Sequence, residues 1–136
     1  MTIQYNLHIC LLRVFLVETK KTKIMQITKL SETAVKETVH KVDARELYNK
    51  DSAQAIHISL KAGESLKPHI TPVDVFFFVI EGTPEILVGK EKKTVEANSL
   101  IESPKDIPHC ISNNSDSLVR VLVVKAPKPT TKTKLL

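Results

Sequence analysis

Residues 63–82 read GESLKPHITPVDVFFFVIEG, and residues 98–113 read NSLIESPKDIPHCISN. These two passages decide the fold. In the first, Pro68 and Pro72 hold the residues before them extended, and Asp74 to Glu81 follows as a near-continuous apolar strand, the pattern of a strand buried on both faces. Phe76, Phe78 and Ile80 share one side of it; Val75, Phe77 and Val79 share the other. Glu81-Gly82 is a turn. In the second passage, Pro104 and Pro108 bracket a rigid loop that delivers His109 to a short strand. His69 and His109 are therefore placed to meet across a folded-over sheet.

The same punctuation continues outward. Gln54 to Leu60 alternates, with Ile56, Ile58 and Leu60 on one side and His57 and Ser59 on the other, as in a half-buried strand. Ala62-Gly63-Glu64 is a turn. Thr83 to Val88 and Lys92 to Val95 are strands about a Gly89-Lys90-Glu91 turn, Ser99 to Glu102 is a short strand, and Leu118 to Lys125 is the last strong one. Asp43-Ala-Arg-Glu46 has the spacing of a helix N-cap with a reaching glutamate, and Asn49-Lys-Asp51 would stop such a helix within two turns. Seven or eight short strands with almost no helix predict an all-β sandwich or barrel.

At 136 residues the chain is one domain by size, and at 42% apolar it can build a core without disulfides. Its formal charge of +5 sits on the ends. Residues 1–24 and the tail after Ala126 carry +3 each, which leaves the body between them at −1. A nucleic-acid binder concentrates cations on its folded face, so no nucleic-acid partner is expected. Leu7 to Val17 is apolar but too short to span a bilayer, so no membrane partner is expected either. This run reads as an extra strand, or as part of an upstream extension if Met25 is the natural start. Cys10 and Cys110 make no disulfide framework, which suits a reducing cytoplasm. The expected organisation is an N-terminal extension (1–24), a barrel (25–126) and a basic flexible tail (127–136).

The two histidine passages resemble the cupin superfamily, small jelly-roll barrels of the double-stranded β-helix type. The resemblance covers roughly Ala55 to Ala126. Gly63, His69 and Gly82 fit its first motif, G-x5-H-x-H-x3-4-E-x6-G. Pro104, His109 and Asn113 fit its second, G-x5-P-x-G-x2-H-x3-N, with Asn98 and Asp106 in place of the two glycines. Metal-binding members hold one divalent ion with three histidines and the glutamate. Here Thr71 takes the second histidine's place and Phe76 is read as standing where the glutamate would be.

What the resemblance implies is a barrel that binds a small molecule, with or without a divalent ion such as zinc, iron, manganese or nickel. The expected metal set is His69 and His109 with Asp74 as a third ligand, because two imidazoles fall short of a usual site. Thr71, Phe76, Phe78 and His57 are the expected pocket residues, His57 facing either the pocket or the outside of the sheet. His8 and His40 read as incidental. Cys110, next to His109 on a strand, should point away from the cavity. The rival readings are a metal-dependent isomerase, dioxygenase or decarboxylase acting on a small oxygen-rich substrate, and a non-catalytic structural dimer with a closed barrel. The family and the apolar strand both point to a homodimer.

Overall fold

The computed structural model describes residues 24–136. The predicted extension, with Leu7–Val17, His8 and Cys10, lies outside the described residues apart from Ile24. After a single 3-10 turn at Leu30–Glu32, ten strands follow: β1 (Asp43–Lys50), β2 (Ala53–Leu60), β3 (His69–Ile70), β4 (Asp74–Glu81), β5 (Glu85–Val88), β6 (Glu91–Thr94), β7 (Leu100–Ser103), β8 (Pro108–Ser112), β9 (Val119–Ala126) and β10 (Lys134–Leu135). They form two five-stranded antiparallel sheets, ordered β1-β2-β9-β4-β7 and β10-β3-β8-β5-β6. This is the double-stranded β-helix, an all-β barrel. No helix among the described residues is long and apolar enough to cross a membrane.

The inner faces of the two sheets supply the core. Val75, Phe77 and Val79 of β4, Val121 and Val123 of β9, and Ile58 and Leu60 of β2 meet Ile86 and Ile111 of the opposite sheet. Phe77 is the largest fully buried side chain. Along β4, burial alternates; it is not complete on both faces. Phe76, Phe78 and Ile80 lie on the outer face and are only half-buried.

The helix predicted from Asp43 does not form; the segment is strand β1, paired with β2 from Asp43↔Ser59 to Lys50↔Ala53. A capping carboxylate would accept from backbone N–H groups. Asp43 instead takes the Arg45 guanidinium in a two-pronged contact, Nε to Oδ1 at 2.9 Å and Nη2 to Oδ2 at 3.1 Å. A ladder of seven registered pairs outweighs the few residues a helix could have ordered here.

The chain's end also departs from a flexible tail. β10 pairs with β3, Leu135 opposite His69, and so closes one edge of the second sheet.

The turns explain the motif's odd residues. Asn98 and Asp106, which replace glycines, have φ of 65° and 63°. Asn and Asp are the side chains that tolerate the left-handed region best. Gly82 has no such substitute. At φ +82°, a Cβ there would lie 2.5 Å from the Leu118 carbonyl oxygen, part of a backbone that cannot swing aside. Gly82→Ala is accordingly expected to destabilise the protein by about 2–4 kcal/mol. Urea unfolding showing less than 1 kcal/mol would mean that the β4–β5 turn relaxes freely.

Candidate ligand-binding site

Proline restriction before β3 and the Pro104–Pro108 loop before β8 bring two strand starts together. β3 pairs with β8 so that His69 faces His109 directly. The Nε2 atoms of the two rings are 3.0 Å apart. Both side chains are buried, 7% and 2% exposed, so their polar atoms need partners inside the protein.

Those partners assign the protons. His69 Nδ1 lies 2.7 Å from the Lys67 carbonyl, which can only accept, so Nδ1 carries the hydrogen and Nε2 a lone pair. The hydrogen between the rings then belongs to His109 Nε2, and His109 Nδ1 accepts from Ser103 Oγ at 2.7 Å. Thr71 Oγ1 sits 3.2 Å from His109 Nε2. Both imidazoles are held neutral. Burial, then the neighbouring His69, Lys125 and His40, lower the His109 pKa to about 3. Burial and Lys125 lower that of His69, against an opposing pull from the Lys67 carbonyl.

A third imidazole joins them. His40, from the segment before β1, packs on His69 with ring centroids 4.8 Å apart. Its Nδ1 accepts from the Lys67 backbone N–H at 2.9 Å. The backbone of one residue, Lys67, therefore orients two rings, His69 through its carbonyl and His40 through its N–H. Burial, and then His69, bring the His40 pKa to about 4. Above the three rings opens a cavity of about 310 Å³. Apolar side chains wall it, among them Ala44, Ile56, Phe77 and Val123, and Leu135 of β10 closes its rim.

The expected site residues divide. His69, His109 and Thr71 are brought together. Asp74 is not; it is exposed on the outer face of its sheet, where its Oδ1 accepts from the Lys105 backbone N–H at 2.8 Å. Phe76 shares that outer face, beside an open hollow of about 430 Å³ that Asp74, Leu100 and Glu102 also line, and Phe78 has the same parity. The inward residue is Phe77, whose ring stands edge-on to His109 at 5.2 Å. The glutamate's place also moves by one. Six residues before Gly82 leave Val75, not Phe76, at that position, and Val75 faces the core with 4% exposure.

His57 is buried but points the other way, lining a groove with Asp43, Arg45 and Ser59. There its Nε2 accepts from Arg120 Nε at 3.2 Å. Cys110 also lies off the cavity, with its thiol donating to the Leu66 carbonyl at 3.0 Å.

Sequence reasoning missed His40, Ser103, Phe77 and Lys125. Ser103 and Phe77 had a signal. Ser103 precedes the motif proline, and Phe77 has the parity of Val75. His40 had none, because the contact that places it is 27 residues distant.

The arrangement does not fit a resident catalytic metal. Such a site takes at least three protein donors. Here the His69–His109 pair offers two imidazole nitrogens at most, Thr71 only a hydroxyl, and His40 has spent its lone pair on Lys67. Among the described residues no group of three or more His, Cys, Asp or Glu side chains is placed to hold an ion.

Fold and site together define a β-barrel with an imidazole-floored cavity. Residues 56–125, just over half of the chain, match the family described as Cupin domain. The chain belongs to the cupin family. Among curated proteins no significant match is found. Solved structures share the fold. TT1209 from Thermus thermophilus is 25% identical with a TM-score of 0.67, covering 77% of this chain and 100% of that one. An RmlC-like cupin family protein from Methanocaldococcus jannaschii is 21% identical at TM-score 0.64, over 78% and 94% of the two chains. The polyketide cyclase RemF from Streptomyces resistomycificus is 16% identical at TM-score 0.71, over 83% and 86%.

Proposed function

We propose that this cupin binds a small organic molecule in the barrel, directly above the His69–His109 pair and without a metal between them. The observation that carries this reading is the cavity of about 310 Å³ with an apolar wall and a floor of hydrogen-bonded neutral imidazoles. Pockets of this size, mostly apolar with a few convergent polar groups, are what small ligands occupy. The His109 Nε2–H is already given to His69, so a ligand's polar groups are met by other polar side chains that line the cavity, Thr38 and His40 among them.

Native mass spectrometry of tag-free protein tests the proposal. A non-covalent adduct of small-molecule mass is expected on the wild type. Ala44→Leu, which grows a 3%-exposed wall residue into the cavity, is expected to remove it. The over-packing cost, about 1–3 kcal/mol, leaves the protein folded by circular dichroism. An adduct that persists undiminished in the folded Ala44→Leu protein would place binding elsewhere. Zinc, iron, manganese or nickel at one equivalent, lost in His69→Leu, would overturn the metal-free reading.

A further inference from the structure

The charges around the cavity have one sign. Lys125 reaches it from the end of β9, sharing the inward parity of Val121 and Val123, and Lys36 reaches it from the segment before β1. Among the described residues no aspartate or glutamate lines it. Lys36 is already neutralised, with its Nζ 3.1 Å from Glu46 Oε2. Lys125 has no ion-pair partner among the described residues. Its ammonium is pushed below the usual lysine range by burial first and Lys36 second, while Glu46 pulls the other way. An ammonium drawn partly out of water without a counter-ion is costly, and the cost is recovered when an anion arrives.

His40 supplies a second donor. His40 accepts from Lys67 at Nδ1, so its neutral ring carries the proton on Nε2, and that N–H has no protein acceptor among the described residues. Lys125 and His40 line the same cavity.

We infer that the ligand is a small carboxylic acid, its carboxylate bound by Lys125 Nζ and the His40 N–H, its apolar body inside the barrel over His69 and His109. This deepens the small-molecule reading and rests on it. One ammonium and one imidazole N–H match a monoanion with two oxygens. A phosphate site commonly adds an arginine fork or a helix N-terminus, and among the described residues neither lines the cavity. The specificity would then lie largely outside the histidine motifs, in a residue at the very end of the matched segment and one well before it.

The test is protein-observed NMR on the full chain with four probes: benzoate, hexanoate, benzamide and hexanamide. The acids are expected to shift the resonances around Val123–Lys125 saturably, with Kd values about tenfold below those of the matching amides. Lys125→Met, which keeps the apolar stem, is expected to bring acid and amide within about twofold of each other, and His40→Gln, which keeps an N–H donor, to retain most of the preference. Amides binding as well as acids, or a preference that survives Lys125→Met, overturns the carboxylate assignment and leaves the small-molecule reading standing. If none of the four probes perturbs the cavity, both fall.

Discussion

Acidifying the protein from pH 6.5 toward pH 4.5 is expected to remove a large part of its folding stability, before most of its carboxylates are protonated. The cause is the histidine cluster. His109 and His40 have folded pKa values lowered to about 3 and about 4, and His69 and His57 are lowered as well, chiefly by burial. In the unfolded chain these imidazoles titrate near 6.5. Below that pH the unfolded state holds protons that the folded state refuses, so stability is complete above pH 6.5 and falls as pH drops toward the folded values. Each neutral-held imidazole adds about 1.4 kcal/mol of loss per pH unit inside its window. For His109, 2% exposed, the full window is worth on the order of 4 kcal/mol. Asp43, lowered by Arg45, and Glu46, which burial raises but Gln54, Lys36 and Asn49 together lower, act in the same direction but only below about pH 4.5. Urea titrations at half-unit steps between pH 4.5 and 6 measure the slope. His109→Gln is expected to reduce it by about one proton, or about 1.4 kcal/mol per pH unit. An unchanged slope in that variant would mean that His109 is already charged in the folded protein.

The fold was legible because its signals are local. Alternation in residues 54–60, glycine and proline punctuation and the spacing of His69, Gly82, His109 and Asn113 each fix a strand or a turn over a short stretch. The site was legible only in part, and its errors trace to parity. A strand shows side chains with a period of two, so an offset of one residue exchanges the faces. Counting the motif glutamate to Phe76 instead of Val75 put Phe76, Phe78 and Asp74 inside the barrel, and all three lie on the outer face. Hydrophobicity did not correct the count, since β4 is apolar at six consecutive positions, Val75–Ile80, and the polar residue that marks the exposed side, Asp74, was itself read as a metal ligand. His40 and Leu135 were illegible for a different reason. Each joins the cavity through a contact between distant parts of the chain, the first through the Lys67 peptide and the second by pairing β10 onto His69. Neither strand-like patterning nor motif spacing extends that far. The same holds for the helix expected at Asp43, where a local capping pattern met a partner strand that offered the whole segment a ladder.

Asn113 closes the second motif, and its replacement by alanine is expected to have the largest effect of any single truncation outside the apolar core. The side chain is fully buried and uses every polar atom it has. Nδ2 donates to the Leu60 carbonyl at 2.9 Å and the Ser117 carbonyl at 2.7 Å. Oδ1 accepts from the Ser115 N–H at 3.0 Å and the Ser115 hydroxyl at 2.7 Å. Its backbone is committed too, N–H to the Glu64 carbonyl and carbonyl to the Gly63 N–H, both at 2.9 Å. One residue thus ties the end of β2, the Gly63 turn and the β8–β9 turn together. Alanine would leave the Leu60 carbonyl and the Ser115 N–H without this partner, while the Ser117 carbonyl keeps the Ser115 hydroxyl at 3.2 Å; an unpaired buried polar group costs about 1–3 kcal/mol. Water can reach the Ser115–Ser117 side of the turn, so the sum is expected to be about 3–5 kcal/mol rather than the maximum. Asn113→Asp is the informative comparison. It keeps the oxygen that serves Ser115 but sets a carboxylate against two carbonyls, so it should be no more stable than alanine. Equilibrium urea unfolding measures both. An Asn113→Ala cost below about 1 kcal/mol would show that water replaces the amide at no loss. The asparagine of this motif would then be unnecessary for holding the strand ends that carry His69 and His109 in register.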